Sequence, residues 1–537
     1  MVTSVLSGHR RAWLLLCDIL DVSEEDWQAT PERVRRGVTR LWEELQRLRE
    51  QAGQTSRNSS RAPSSDPPSV PAREKKPTGR AAGGQPGHRG QSRALVSEDQ
   101  VDEIIPVRPP ACDWCGRVFA RADSDPHPVR HQVHELPKVT ATVKEYQVHT
   151  LTCPKCGEQT AGALPLGVPQ GMLGPRALAT IAACTGHYHL SKRAAVTLLE
   201  DICGLQVSEA TVCAAERTMS AALEAPVAAA QEAVRQAPDK GIDETGWSQQ
   251  RDSDPILCAG EEAEASDLPT LSQARAPRGP ARSTPNSLSA APGRLPKAWL
   301  WVAVSALATV FRIRRSRGSK VAEEMLGEKP IGSIHTDRWS AYNWLQARRR
   351  QLCWAHLLRD FTTISERAGA SARLGGDLLA QTQRLFALWR RARDGPLSWS
   401  AFQKEMAPIQ EAIGVLLREG VALATASGSG PAEKRTAHTC QNLLKWELSL
   451  WTFVRIKGVE PTNNRAEQAI RAAVLYRKVS FGTQCSAGSR YVERVMTAVA
   501  TCKQHQRNVL DYLTAAIGAH YRGESAPSLL PTTTAPS

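Results

Sequence analysis

The sequence predicts an α/β protein of several domains, and three observations carry that reading. Its 537 residues exceed what a single hydrophobic core holds. Between about 238 and 352, short apolar segments alternate as strands, and helical patterns lie on both sides of them. Two C-x-x-C pairs and a stretch rich in Ser, Pro, Gly and Arg separate this region from the N-terminus.

Residues 1–50 read as an N-terminal helical or coiled-coil segment. Val34, Val38, Leu41, Leu45 and Leu48 alternate spacings of four and three, a seam of about two heptads. A helix packed on its own domain explains the pattern nearly as well. The run "AWLLLCDILDV" is too short to span a membrane, is interrupted by Asp18 and lacks a small-residue cleavage site, so neither a membrane span nor a signal peptide is expected.

Residues 51–95 read as a basic disordered linker, with eight Lys/Arg against two acids. A solvated linker and a basic arm lying along DNA are compatible readings. The whole chain carries a formal charge of +14, with a pI near 9.3. That suggests a polyanionic partner, nucleic acid first, although charge alone leaves a merely basic protein level with it. Thirteen cysteines, four in tight pairs and nine scattered, argue for a reducing cytoplasm rather than a disulfide framework.

Residues 105–160 read as a zinc-binding module. Cys112 and Cys115 ("CDWC") and Cys153 and Cys156 ("CPKC") form two knuckles whose four thiolates close one tetrahedral site. Such a closed site is structural. The stretch "HELPKVTATVKEYQVHT" alternates as a hairpin that brings the knuckles together. Redox use of one pair is the alternative, and His127, His131 and His134 are spare ligands. Residues 170–235 are helical. Within them, a helix, a Gly204 turn and a second helix capped by Ser208 fit either helix-turn-helix geometry or a plain hairpin.

Residues 238–500 form the domain that carries the chemistry. "KGIDETGW", "AWLWVAVS", "TVFRIRR", "IGSIHTD" and "RRRQLCWAHLL" read as five strands, with "VAEEML" a helix between the third and fourth. Residues 248–296 interrupt the first two strands with seven prolines and no aromatic residue, and read as a disordered insertion. Residues 356–455 read as a helical insertion, 501–522 as a C-terminal helix and 523–537 as a disordered tail.

Asp243 ends the first strand, Asp337 ends a later one, and Glu467 opens a helix after the helical insertion. In a sheet of the RNase H type the first and fourth strands are neighbours, which sets Asp243 beside Asp337. A final helix on the sheet brings in Glu467. Clustered carboxylates repel unless a cation sits among them, and hard oxygen ligands suit Mg2+ or Mn2+. Two such ions serve phosphoryl transfer. In "NNRAEQAIR", Arg465, Arg471 and the nearby Arg477 then face phosphate, and Asn463 and Asn464 hydrogen-bond DNA. Taken alone, that stretch reads better as an amide-capped helix start with a Glu467–Arg471 pair; the three acids in matching strand–strand–helix contexts shift the balance.

In order along the chain, "GGQPGHRGQSR", the two C-x-x-C pairs, "DETGW", "AWLWVAVS", "TDRWSAYN", "CWAHLLRDF", "PTNNRAEQAIR" and "FGTQCSAGSRYVERVMTAVATCKQHQRNVLDYL" resemble the transposases of the IS66 insertion-sequence family. The resemblance implies a zinc-binding domain and an RNase H-like DDE domain, with Asp243, Asp337 and Glu467 in the three acidic positions. His356 and Arg471 fall in polar positions common in the family. It departs from the family at 248–296, where a short turn is usual.

The implied activity is DNA transposition. Water cuts a strand at the element's ends, and the freed 3′-OH attacks target DNA with no covalent protein–DNA intermediate. The implied partners are terminal inverted repeats and target DNA, further copies of the chain when the ends are synapsed, and small accessory proteins of the same element. A bacterial, nucleoid-associated cytoplasmic location follows. A catalytically silent DNA-binding derivative and an RNase H-like nuclease are the alternatives.

Overall fold

The computed structural model describes residues 23–52, 54–55, 93–123, 125–250, 297–426 and 429–531. Most of the 51–95 linker and residues 251–296 lie outside the described residues. No helix among those described is long and apolar enough to cross a membrane.

Helix α1 (Glu32–Ala52) carries the heptad seam, and Val34, Leu41, Leu45 and Leu48 on it face solvent. Two three-residue strands, β1 (Thr150–Thr152) and β2 (Gln159–Ala161), pair around the second cysteine knuckle. The hairpin expected from "HELPKVTATVKEYQVHT" is not formed. Residues 128–149 make no ladder, and their apolar positions, Val129, Val133 and Val143 among them, are exposed. Alternation there has no second layer to bury against.

Four helices follow: α2 (Pro175–Gly186), α3 (Lys192–Cys203), α4 (Glu209–Ala222) and α5 (Glu224–Gln236). Gly204 ends α3 in the left-handed conformation (φ 60°), and Ser208 caps α4 by accepting from the Thr211 N–H at 3.1 Å. The sequence reading of this turn is met. However, α4 buries Val212, Ala215 and Met219 and packs on α2 and the C-terminal helices. Lys192 and Arg193 of α3 are ion-paired to Glu216 and Glu209 of α4. That arrangement favours the plain helical hairpin over a basic recognition helix.

The five-stranded sheet consists of β3 (Asp239–Ser248), β4 (Lys297–Ser305), β5 (Thr309–Arg314), β6 (Ser333–Thr336) and β7 (Arg350–Leu352). Its order is β5-β4-β3-β6-β7. The β3, β4 and β5 strands are antiparallel neighbours, while β6 and β7 run parallel to β3. Beyond Lys297, β4 reads as a nearly continuous apolar run because Ala298, Leu300, Trp301, Val302 and Ala303 are all buried. The helix α6 (Ser319–Leu326) joins β5 to β6.

Helix α7 (Trp354–Ser365) follows β7 directly and starts a helical insertion with α8 (Gly369–Arg393), α9 (Trp399–Ala422) and α10 (Pro431–Lys445). This insertion has its own core, in which Trp354, Trp389, Phe402, Trp451 and Phe453 stack on one another. The chain then returns to the sheet as α11 (Asn464–Ser480), α12 (Ser486–Gln504) and α13 (Val509–Tyr521).

The outer strand β5 is covered along its edge by α12. Thr501, Thr497 and Glu493 accept hydrogen bonds from the Thr309, Phe311 and Ile313 N–H groups at 3.2, 3.1 and 2.7 Å. Four helical residues rise about 6 Å, and two strand residues about 6.7 Å, so one helix face matches alternate N–H groups of the strand. At the opposite edge, Gln351 of β7 accepts from the Phe453 N–H (2.8 Å), and the Thr452 hydroxyl donates to the Arg350 carbonyl (2.7 Å).

Two boundaries differ from the sequence reading. β3 runs on to Ser248, so Asp243 lies in mid-strand and not at the strand's end as expected; the Gln250 N–H donates to the Thr483 carbonyl at 3.1 Å, so the interruption starts later than 248. Residues 523–531 of the expected disordered tail pack onto α13. Leu529 is buried, and the Tyr512 hydroxyl donates to the Pro527 carbonyl at 2.9 Å. The two leucines in "SLLP" supply the apolar surface that holds the segment down.

Candidate active site

Strand register brings the first two acids together. In the parallel pair, Asp239 lies opposite Ser333 and Gly241 opposite His335. Continuing that register sets Asp243 level with Asp337, the first residue past β6. Side chains two apart share a face, so both carboxylates point the same way. Glu467 enters from the first turn of α11, which packs on β3 and β4.

The charges of these acids bear on one another. Burial, then the negative charges of Glu244, Asp337 and Glu467, hold the Asp243 carboxyl well above its ordinary value, against one N–H donated by Glu244 at 2.9 Å. Asp243 is thus a carboxylate whose ionised form lacks a counter-charge. Since its pKa is raised in the fold, its contribution to stability is present at acid pH and is lost as pH rises through that raised value. In metal-free buffer, thermal stability should therefore fall as pH rises above the ordinary carboxylate range. Mg2+ or Mn2+ should restore it, adding about 2.7 kcal/mol at a hundred times Kd. Melting curves across pH, with and without the ion, test this. A metal effect that is absent, or that shrinks as pH rises, contradicts the site. The all-oxygen donors of Asp243, Asp337 and Glu467 suit such a hard ion, although among the described residues the three carboxylates are not gathered within reach of one ion.

Buried neighbours hold this group in place. Glu244, the residue after Asp243, is buried and ion-paired to Arg317 at 2.7 Å, and it accepts from the Tyr342 hydroxyl. The Arg317 guanidinium sits 4.6 Å from the Trp299 ring and 3.9 Å from the Trp339 ring. The Trp339 N–H in turn donates to Asp337 Oδ1 at 2.8 Å. The sequence reading missed Glu244, Arg317 and both tryptophans. Only "DET" and "DRW" hinted at them, as polar and aromatic residues beside the acids.

The amides and arginines of α11 divide. Asn463 is buried. Its Nδ2 donates to the Ile242 carbonyl at 2.8 Å, and its N–H to Cys353 Sγ at 3.2 Å. It ties the start of α11 to β3 and is too buried to face DNA, which corrects the sequence reading. Arg477 is likewise tied to β3 through Thr245 and the Gly246 carbonyl, and Arg465 stands 3.6 Å from Asp239. Asn464 and Arg471 are exposed on α11. His356, on the first turn of α7, lies 3.4 Å from Glu467 Oε1, and Arg359 lies 3.9 Å from Oε2.

Both cysteine knuckles form, with matching backbones. Cys112 and Cys153 N–H groups donate to the Arg117 and Glu158 carbonyls at 2.9 and 2.8 Å, and Gly116 and Gly157 take φ of 72° and 75°. N–H groups of Cys115 and Trp114 point at Cys112 and lower its pKa; those of Cys156 and Lys155 do the same for Cys153. These donors suit thiolate ligands. Among the described residues, however, the four sulfurs are not gathered within reach of one ion.

Over residues 284–490 this mixed α/β domain matches a transposase family model. The model is described as Transposase IS66 family, and the match supports an IS66 family transposase. Asp337, His356, Asn464, Glu467 and Arg471 lie inside that match, whereas Asp243 and the cysteine knuckles lie outside it. Residues 20–94 match a second model, a family of unknown function (DUF6444). Among curated proteins, none matches the chain.

Proposed function

We propose that the chain is a DDE transposase, with Asp243, Asp337 and Glu467 as its acids on an RNase H-like sheet. The observation that carries this is the register of the parallel pair β3 and β6, which continues to set Asp243 level with Asp337, with Glu467 on the first turn of the helix packed on β3. The sheet order, with three antiparallel strands followed by two parallel ones, supports the RNase H-like reading. Two divalent ions held there would stabilise the entering and leaving oxygens of an in-line displacement at phosphorus. The chain's own part is orientation. Glu244 and Arg317 hold Asp243 and the Trp339 loop in register, and Asn463 fixes where Glu467 enters. Arg471 and Asn464, exposed beside Glu467, face a DNA backbone.

The test uses the full chain, a linear DNA carrying the element's ends, a target plasmid and Mg2+ or Mn2+. Cut ends bearing 3′-OH and joined products are expected. Cutting without joining indicates a nuclease, and binding with neither step indicates a silent DNA-binding protein.

The domain plan goes with this reading: an N-terminal helix, a basic linker as DNA arm, a zinc module over 105–160 and the catalytic domain over 238–500. The preorganised knuckles support one structural Zn2+ held by Cys112, Cys115, Cys153 and Cys156. Elemental analysis after chelator-free purification should give at least one zinc per chain, lost on mutating either pair to Ser. Freely reactive thiols at all four positions with no zinc would remove the site.

A further inference from the structure

Cys353, His356 and Glu467 each offer one ligand atom, and these three atoms lie within 4.8 Å of one another. Cys353 Sγ and His356 Nδ1 are each 3.4 Å from Glu467 Oε1. A tetrahedral ion with bonds of about 2.0–2.3 Å sets its ligand atoms roughly 3.3–3.8 Å apart, so both separations match. His356 Nδ1 is buried and makes no hydrogen bond of its own. Cys353 is buried at the junction of β7 and α7, and the Asn463 N–H already points at its sulfur. One helical turn therefore presents thiol and imidazole to the same carboxylate oxygen. Arg359 is beside the other oxygen and leaves Oε1 to the pair.

We propose that Cys353, His356 and Glu467 form a second divalent-cation site, selective for Zn2+ over Mg2+, that shares Glu467 with the acid cluster. Thiolate and imidazole select borderline-soft ions, whereas Asp243 and Asp337 select hard ones. As the sulfur–metal bond forms, the Cys353 proton passes to solvent. Three protein ligands leave a fourth position open to water, as in sites that exchange their ion. Zn2+ held there occupies the Glu467 oxygen. If the acids act as proposed above, Zn2+ competes with the hard ions and inhibits DNA cleavage.

The binding test does not depend on that reading. The full chain is titrated with Co2+, following near-ultraviolet thiolate-to-cobalt absorption and the number of ions bound. Wild type should bind one more ion than Cys353→Ser, with correspondingly more absorption. His356→Gln, at a half-buried position, should raise the apparent Kd for that ion by more than the 10–100-fold typical of an outer-shell partner. Each variant is first compared with wild type by circular dichroism. Equal stoichiometry and spectra in wild type and both folded variants would overturn the site. Zn2+ inhibition of cleavage is then measured relative to each protein's own Mg2+ rate. Inhibition lost in Cys353→Ser supports the shared Glu467. Intact binding together with inhibition unchanged in that variant rejects it. Binding without any cleavage in wild type leaves the metal site standing and counts only against the transposase reading.

Discussion

Asp243→Asn, Asp337→Asn and Glu467→Gln each lower divalent-ion-dependent DNA cleavage by at least about a thousandfold, while binding to the same DNA stays within a few-fold. The expectation rests on cooperation: residues that act as a unit lose nearly everything when any one is removed. The three substitutions differ in stability, and that difference separates the site from a structural salt cluster. Asp243 is the acid with the raised pKa, crowded by Glu244, Asp337 and Glu467. Asp243→Asn removes one charge from that group without changing its shape. Its metal-free form should melt higher than wild type at neutral pH, by a few degrees for a gain on the order of 1 kcal/mol. Mg2+ should no longer raise its melting temperature. The measurements are a cleavage assay on labelled ends, an equilibrium binding assay and paired melting curves. Cutting within tenfold of wild type by any one variant removes that residue from the site. A lower metal-free melting temperature for Asp243→Asn would mean that its carboxylate is stabilising, contrary to the like-charge argument.

Gly241→Ala should cost about 2–3 kcal/mol of stability and most of the cleavage activity, although position 241 bears no side chain to touch DNA. A Cβ built there would collide with Asn463 Oδ1 and approach Ala466 Cβ at 3.4 Å. Asn463 has no freedom to retreat, because its Nδ2 is held by the Ile242 carbonyl and its N–H by Cys353 Sγ. The collision must push α11 away from β3, and Glu467 sits one turn into that helix. Overpacking of a rigid contact typically costs about 1–3 kcal/mol. Displacing a reacting group by about 1 Å is enough for a hundredfold loss of rate. Chemical denaturation and the cleavage assay measure the two effects. The double variant Gly241→Ala with Asn463→Ala should recover part of the stability, because the clash is gone. If Gly241→Ala alone is neutral, α11 is not seated through this contact.

The two predictions mark where the sequence was legible. Asp243 and Asp337 could be found because each ends an apolar strand pattern, and period-two patterning survives translation into a ladder. Glu467 could be found because Asn463 and Asn464 announce a helix start. The strand order and the turn before Ala308 followed from the same patterns. Asn463 itself was misread as facing DNA, since its contact with Ile242 joins residues 221 apart and leaves no local trace. Cys353 was invisible for a different reason: a single cysteine before a tryptophan looks like core. Arg317 looked like one more basic residue in "RRSRGSK", and only the packed fold shows it held between Trp299 and Trp339 beside Glu244. The alternation at 128–149 failed in the opposite sense. A strand-like pattern without a partner sheet has no ladder to join.

The coverage of β5 by Thr501, Thr497 and Glu493, and of β7 by Thr452, bears on the proposed assembly of copies on DNA. An open strand edge is a template on which another chain can extend the sheet. Here the Thr309, Phe311 and Ile313 N–H groups of β5 and the Arg350 carbonyl of β7 are already paired within the chain. If two copies join at a pair of DNA ends, as the proposed function requires, these contacts stand against a continuous intermolecular sheet. Their contacts must come from side chains on helices, and the exposed leucine seam of α1 is such a surface. A joint of that kind is made and released by moving whole helices, without unzipping the strands that carry the acids.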